Sequence, residues 1–234
     1  MKSPSEDPIE VLTQTDKAYQ ALRGAIVRCE YEPGARLRVE ELTKKLAVSS
    51  SPLREALSRL AGQGLVQSSE NRGFRVAPLS VEGIADLTRV RLLIELETLR
   101  DAIEHGNDAW ESECVAAAHR LALSEQRLTN GVTVLDDDWS ARHRAFHMAI
   151  YSGASSSLLR DMVSHLFDAA ERYRRFSAQH RTIKRNKNDE HQEILRVTLS
   201  RDKEKALGLL AQHISSTERN VTAAFLSAGV RSAQ

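Results

Sequence analysis

The chain has 234 residues, enough for two modest domains with a core each, and a formal net charge of only +1. So small a balance excludes a global basic field, and any attraction to nucleic acid has to be local. No apolar run nears the roughly 18 residues of a membrane span, and the polar, acidic start MKSPSEDPIE does not read as a signal peptide. Cys29 and Cys114 stand without a paired spacing, in segments that read as helical, which fits a reducing cytoplasm rather than a disulfide scaffold.

In chain order, residues 1–14 read as a flexible tail. Lys17–Glu30 places Tyr19, Leu22, Ile26 and Val27 on one helical face, and Pro33-Gly34 stops it. Val39–Leu46 is a second, short helix, and Ala47-Val48 leads at once into SSSPLREALSRLAGQGLV. There Ser49, Ser50 and Ser51 suit an N-cap, Pro52 suits the first turn, and Leu53, Ala56, Leu57 and Leu60 form a buried stripe with Arg54 and Arg59 off it. Leu65-Val66 and Phe74-Arg75-Val76 read as strands around a turn at Asn71-Arg72-Gly73. Two short helices at close spacing and a basic hairpin predict a winged helix-turn-helix over residues 15–79. Between Arg36 and Leu79, eight Lys/Arg stand against four Asp/Glu, a local excess of the sign that phosphates need.

Beyond Leu79 the pattern changes. From Ser80, which reads as a helix cap, to Gln234 there is no proline and no alternating strand. Leu92, Leu96, Leu99 and Ile103 line one face of a helix ending near Gly106, and further helices are expected over roughly 110–129, 136–151, 156–179, 187–200 and 202–228. The expected fold is therefore mainly α: a winged helix-turn-helix followed, over 80–234, by an all-α bundle of six or seven helices.

Histidines give that bundle its chemistry. His143 and His147 stand four apart, so one helix face presents both imidazoles to one ion, and Trp139, Phe146 and Ile150 on or beside that face turn it inward. His191, in DEHQEIL, and His213, in LLAQHIS, also lie among apolar neighbours. Inward imidazoles need partners, and several converging from different helices can satisfy one another through a divalent metal, or each can be hydrogen-bonded in the core. His105, His119, His165 and His180 read as surface or structural. An enzymatic metal site finds little support: no HExxH-like acid adjoins the pair, Asp136–Asp138 suit a helix cap, and Glu190 beside His191 is the only nearby acid fit to be a base.

Taken together, PGARL, EELTKKLAVSSSPLREALSRLAGQGLV and RGFRV, then HRAFHMAIYSGASSSLL, DEHQEIL and AQHI, resemble a GntR-family transcription regulator of the FadR subfamily with a C-terminal FCD ligand-binding domain. The resemblance covers residues 15–228. The form WxxRHxAFH at Trp139–His147 is most similar to the glutarate-responsive, carbon-starvation-induced subgroup. It implies a homodimer on a palindromic operator, with Arg54 as the best base contact and Arg36, Ser49, Ser50, Ser51, Arg59, Asn71, Arg72 and Gly73 along the DNA. Ser50 and Glu40 depart from the family's usual arginines, so an operator cannot be borrowed. The resemblance also implies a metal held by His143, His147, His191 and His213, with His143 in an aspartate's place. Loss of that carboxylate favours zinc, or nickel or cobalt, over magnesium or calcium. Arg91, Tyr173 and Arg174 are the expected contacts for a small carboxylate effector, a glutarate-like dicarboxylate first. Its binding is expected to release a cytoplasmic repressor from DNA through a hinge near Pro78–Val81. A DNA-binding dimer with a purely structural metal is the other reading.

Overall fold

The computed structural model describes residues 12–69, 73–128, 136–179 and 188–227. Its chain forms two units, one of residues up to Ile26 together with Glu30–Pro78, the other of Val27–Cys29 and everything from Leu79 on.

In the first unit, α1 (Gln14–Val27) begins before the expected Lys17, because Thr13 caps it. The Thr13 hydroxyl accepts from the Asp16 backbone N–H at 3.1 Å and donates to the Asp16 carboxylate at 2.6 Å. The helix also ends sooner, and Cys29, at φ 58°, lies past it in the left-handed region rather than in a helix. After β1 (Arg36–Leu37) come α2 (Val39–Leu46) and α3 (Ser50–Gly62), then β2 (Val66–Ser69) and β3 (Gly73–Val76). The strands form an antiparallel sheet in the order β1-β3-β2, which completes a wing. Leu53, Ala56, Leu57 and Leu60 are fully buried, against a core that includes Leu22, Ile26, Leu42 and Val76. Burying each of the leucines contributes about 1.5–3 kcal/mol.

The tight turn between α2 and α3 sets Ala47 at φ 52°, where its Cβ crowds the backbone. Ala47→Gly removes that crowding, partly offset by glycine's greater freedom when unfolded. The expected net gain is about 0.5–1 kcal/mol, read as slower hydrogen exchange across α2 and α3 in the full chain.

The second unit is helical throughout its described residues: α4 (Val81–His105), α5 (Asp108–Leu128), α6 (Asp137–Ser152), α7 (Ser157–Gln179), α8 (Asn188–Leu199) and α9 (Lys203–Ser227). The expected helical bundle is therefore what forms. Side chains in capping positions start five of these helices: Ser80 accepts from Gly83 N at 2.9 Å, Asn107 from Trp110 N at 3.0 Å, Asp136 from Trp139 N at 2.6 Å, Ser156 from Leu159 N at 3.2 Å, and Asp202 from Lys205 N at 3.2 Å. Trp110 seals one end, its ring pressed against Gly106, where a Cβ would collide with it, and its Nε1 donating to Ala149 O at 2.9 Å. Arg201 stacks over that ring and donates to the carbonyls of Ile103 and Gly106.

The apolar stripe expected on α4 is only partly the buried one. Leu99 and Ile103 are buried, whereas Leu92 and Leu96 are half-buried, and Thr88, Arg91, Glu95 and Thr98 occupy the rest of the inner face. Arg91, Glu95 and Thr98 find hydrogen-bond partners there, whereas the buried Thr88 hydroxyl has none among the described residues.

Candidate functional site

The polar interior of the second unit converges on four buried histidines. His143 and His147 come from α6, His191 from the first turn of α8 and His213 from the middle of α9. One possible ligand atom from each lies within 4.8 Å of those of the other three. Two nitrogens bound to one ion at about 2.1 Å stand no more than about 4.2 Å apart, so a movement below an ångström closes the group around a cation. His143 stacks on Trp139, with centroids 4.5 Å apart and planes at 14°, and Phe167 lies against both His143 and His147. The cluster is thus walled by aromatic rings.

Two carboxylates aim the rings. Nδ1 of His191 lies 3.1 Å from Glu125 Oε1, and Nδ1 of His213 lies 3.0 Å from Glu190 Oε2. A carboxylate accepts, so each Nδ1 carries a proton, and the contact fixes the orientation of the ring. His147 differs. Both its ring nitrogens are buried with no hydrogen-bond partner among the described residues. Burial pushes its pKa well down, with His213, His191, Arg174 and Arg91 adding to the effect, so the ring is neutral. Leaving such a group unsatisfied costs about 1–3 kcal/mol. Imidazoles oriented by carboxylates on their outer nitrogens are a set that suits a borderline-soft divalent metal.

Sequence reasoning missed Glu125, and it offered Glu190 as a possible base. Glu190 instead bonds His213, which makes it a residue that orients a ring.

The three candidate effector contacts part company. Arg91 is buried and already held by Glu95, with Nε–Oε1 at 2.5 Å and a nitrogen–Oε2 contact at 3.2 Å, and the Tyr151 hydroxyl donates to Glu95 Oε2 at 2.7 Å. Arg174, also buried, donates to Glu171 and to Phe167 O and lies over the Phe167 ring. Phe167 packs on His143 and His147 beneath Arg174, and Glu95 links Arg91 to Tyr151, whose ring lies 6.3 Å from that of His147, so both arginines lie near the cluster. Tyr173 does not. It packs with Leu79, Ile84, Val221 and Phe225, its hydroxyl beside Gly83, in a cluster apart from the histidines.

In the first unit, α3 carries Arg54 on its exposed face, and no hydrogen bond or ion pair occupies its guanidinium among the described residues. Arg59 is engaged: it pairs with Asp16 at 2.9 Å and lies over the Tyr19 ring, bracing α3 against α1. Ser49, Ser50 and Ser51 are exposed at the helix start, and Ser49, in the N-cap position, makes no side-chain capping bond. The sheet sets Arg36 directly across from Arg75, both exposed. Like charges facing across a ladder are destabilising unless an anion comes between them. Arg75, unlike Arg36, had not been singled out from the sequence. Gly73 opens β3 at φ 78°, while Asn71 and Arg72 lie outside the described residues.

Comparison with known proteins matches two family models in series: "Bacterial regulatory proteins, gntR family" over residues 14–76 and "FCD domain" over residues 86–216. Among similar proteins, the HTH-type transcriptional regulator BphR of Paraburkholderia xenovorans is 37% identical over 86% of this chain and 82% of its own. The HTH-type transcriptional repressor GlaR of Escherichia coli is 36% identical over 84% of this chain and 90% of its own. The solved structure of E. coli McbR/YncC shares the fold at a TM-score of 0.75 and 21% identity, over 93% of this chain and 100% of that one.

Proposed function

The chain belongs to the gntR family of bacterial regulatory proteins, in the branch that carries an FCD domain, and from that premise we propose a metal-dependent, carboxylate-responsive repressor. Family and relatives make it a DNA-binding transcription regulator rather than an enzyme. Repression, for which GlaR's name is the support, and the nature of the signal are our reading.

One observation carries it: four buried imidazoles within reach of one ion, two of them aimed by carboxylates and one, His147, with neither nitrogen satisfied. His147, His191 and His213 would hold the metal, with His143 completing the set. Zinc suits this donor set, and nickel or cobalt are the other candidates. When bound, the ion supplies a positive charge and a coordination position for a carboxylate oxygen. The chain's own part is to orient the imidazoles, with His147 held neutral by burial, and to exclude water with Trp139 and Phe167. Because Glu95 and Glu171 already engage Arg91 and Arg174, the ion is the group that first attracts the effector's negative charge. A small carboxylate, with glutarate the first to test, changes operator affinity only by binding two arrangements of the protein unequally.

On the DNA side, two copies related by a two-fold axis would present their α3 helices to successive major grooves of a palindrome. Arg54, free of partners among the described residues, is the base reader. Arg36 and Arg75, with the serines at the start of α3, face phosphates. Arg54→Ala is expected to weaken operator binding by about 1–3 kcal/mol, or roughly 5- to 150-fold, and to relax preference at one base pair. Fluorescence anisotropy on operator variants reads both effects, and an unaltered affinity would remove α3 from the reading role. The same assay tests the switch: metal-loaded protein on its operator is titrated with glutarate and related carboxylates, and failure of every one to release it would refute the sensor.

A further inference from the structure

The cluster that holds Tyr173 lies where the chain leaves the winged unit. Leu79 and Ser80 are the first residues past Pro78, with which that unit ends, and α4 begins at once with Val81. Leu79 and Ile84 pack there with Tyr173 of α7 and with Val221 and Phe225 of α9, all of them buried. The Phe225 ring stacks on Phe176, centroids 4.6 Å apart, and meets the Tyr173 ring edge-on at 6.3 Å. One contact is closer still. The Tyr173 hydroxyl lies so near Gly83, in the first turn of α4, that a Cβ there would collide with it. Glycine in a helix is less favourable than alanine by about 1 kcal/mol, yet only glycine leaves this hydroxyl its place. Burial raises the pKa of the hydroxyl and the Ser80 backbone N–H acts against the rise, so the hydroxyl also faces the residue that caps α4.

Two helices join this cluster to the histidines. On α9, His213 is followed by Val221 and Phe225, about 12 and 18 Å further along one rod. On α7, Phe167, whose ring lies against His143 and His147, is followed by Tyr173, about 9 Å further on. The histidine nitrogens, within 4.8 Å of one another, have to draw together to hold one ion. A close-packed interior passes such a movement on rather than absorbing it. We propose that α7 and α9 relay the state of the histidine site to the root of the winged unit, and that the Tyr173 hydroxyl, wedged at Gly83, is the positioning group where the relay meets α4.

The relay rests on the metal reading above, and zinc alone is the probe, so no effector has to be known. Hydrogen exchange by mass spectrometry on the full chain compares residues 79–87 with α6 and α9, in chelator and after zinc is added. In the parent, zinc is expected to slow exchange in 79–87 about tenfold, a usual size for coupling between two sites, as well as around the histidines. Tyr173→Phe keeps the ring and loses only the hydroxyl. In that variant zinc is expected to protect α6 and α9 as before but to slow 79–87 by less than about threefold. Gly83→Ala tests the wedge from the other side. Its methyl is expected to lower the melting midpoint by about 2–12 °C. In the Tyr173→Phe background the same methyl makes ordinary contact, 3.7 Å from Cζ of the ring, and is expected to leave the midpoint unchanged or higher. An equal cost in both backgrounds would overturn the wedge. Equal protection of 79–87 in the parent and in folded Tyr173→Phe, or protection of α6 and α9 with none at 79–87 in the parent, would overturn the relay and leave the metal reading standing. Zinc that slows exchange nowhere in the second unit would overturn the metal reading, and the relay with it.

Discussion

Stripping divalent metal from the protein is expected to lower its melting temperature by about 8–16 °C, and restoring zinc to reverse the change. An ion bound only by the folded state, at about a thousand times its dissociation constant, contributes about 4 kcal/mol, and in a chain of this size each kcal/mol moves the midpoint by about 2–4 °C. The stabilisation is expected in the second unit, where α6, α8 and α9 bring the clustered histidines together. His147→Leu separates the metal's contribution from simple packing. It removes a ligand, so zinc no longer raises the midpoint, but it also removes the two buried nitrogens that lack partners. The metal-free variant is therefore expected to be more stable than the metal-free parent by about 1–3 kcal/mol, while the metal-loaded order is reversed. Acid sharpens the contrast. Burial lowers the His147 pKa, so below about pH 6.5 the unfolded chain takes up a proton that the folded one refuses. The metal-free parent then loses stability as the pH falls through that range, and the leucine variant is spared this one contribution. Differential scanning calorimetry with chelator and with zinc reads all of these, and a midpoint insensitive to both would remove the ion from the structure's economy.

The histidine set was legible because it depends on local spacing and residue type. His143 and His147 at i,i+4 share a face by helix geometry alone, and the aromatic residues on α6 told which way that face turns. For His191 and His213 the sequence offered only apolar neighbours, and the family's motifs supplied the grouping. Glu125 could not be found that way. It lies 66 residues from the ring it orients, on a helix whose exposed acids look the same in sequence. Arg91 and Glu95 show the opposite failure. Four residues apart on one helix, they match a pair that normally lies in solvent, yet both are fully enclosed because Tyr151 of α6 closes over them. Tyr173 was grouped with Arg174 as a chain neighbour, but adjacent helical residues point about 100° apart, and that angle separates the cluster from the packing around Leu79. In the first unit the stripe of α3 was read correctly from its period, whereas the pairing of Arg36 with Arg75 depends on strand register, which no local pattern states.

Glu95→Ala is expected to cost about 3–5 kcal/mol, because it strands the Arg91 guanidinium in a fully buried position and takes away the acceptor of the Tyr151 hydroxyl. The cost belongs to the orphaned charge rather than to the pair. Replacing both partners, as in Arg91→Met with Glu95→Leu, is expected to return most of the lost stability, since apolar groups of similar volume need no compensation. Urea denaturation of the three proteins decides it, and a double variant as unstable as the single one would show that the pair holds the bundle together in its own right. The same double variant resolves the effector question that Arg91 raises. Glu95 holds the Nε–Nη2 edge of this guanidinium, so a ligand carboxylate can take that edge only by displacing Glu95, at a cost of the same order as the substitution. If the ion alone attracts the effector, the folded, zinc-loaded double variant binds glutarate by calorimetry within about threefold of the parent, a change of less than 1 kcal/mol. If Arg91 is the second contact, its loss weakens binding by tenfold or more, and Glu95 is then the group that gives way when the ligand arrives.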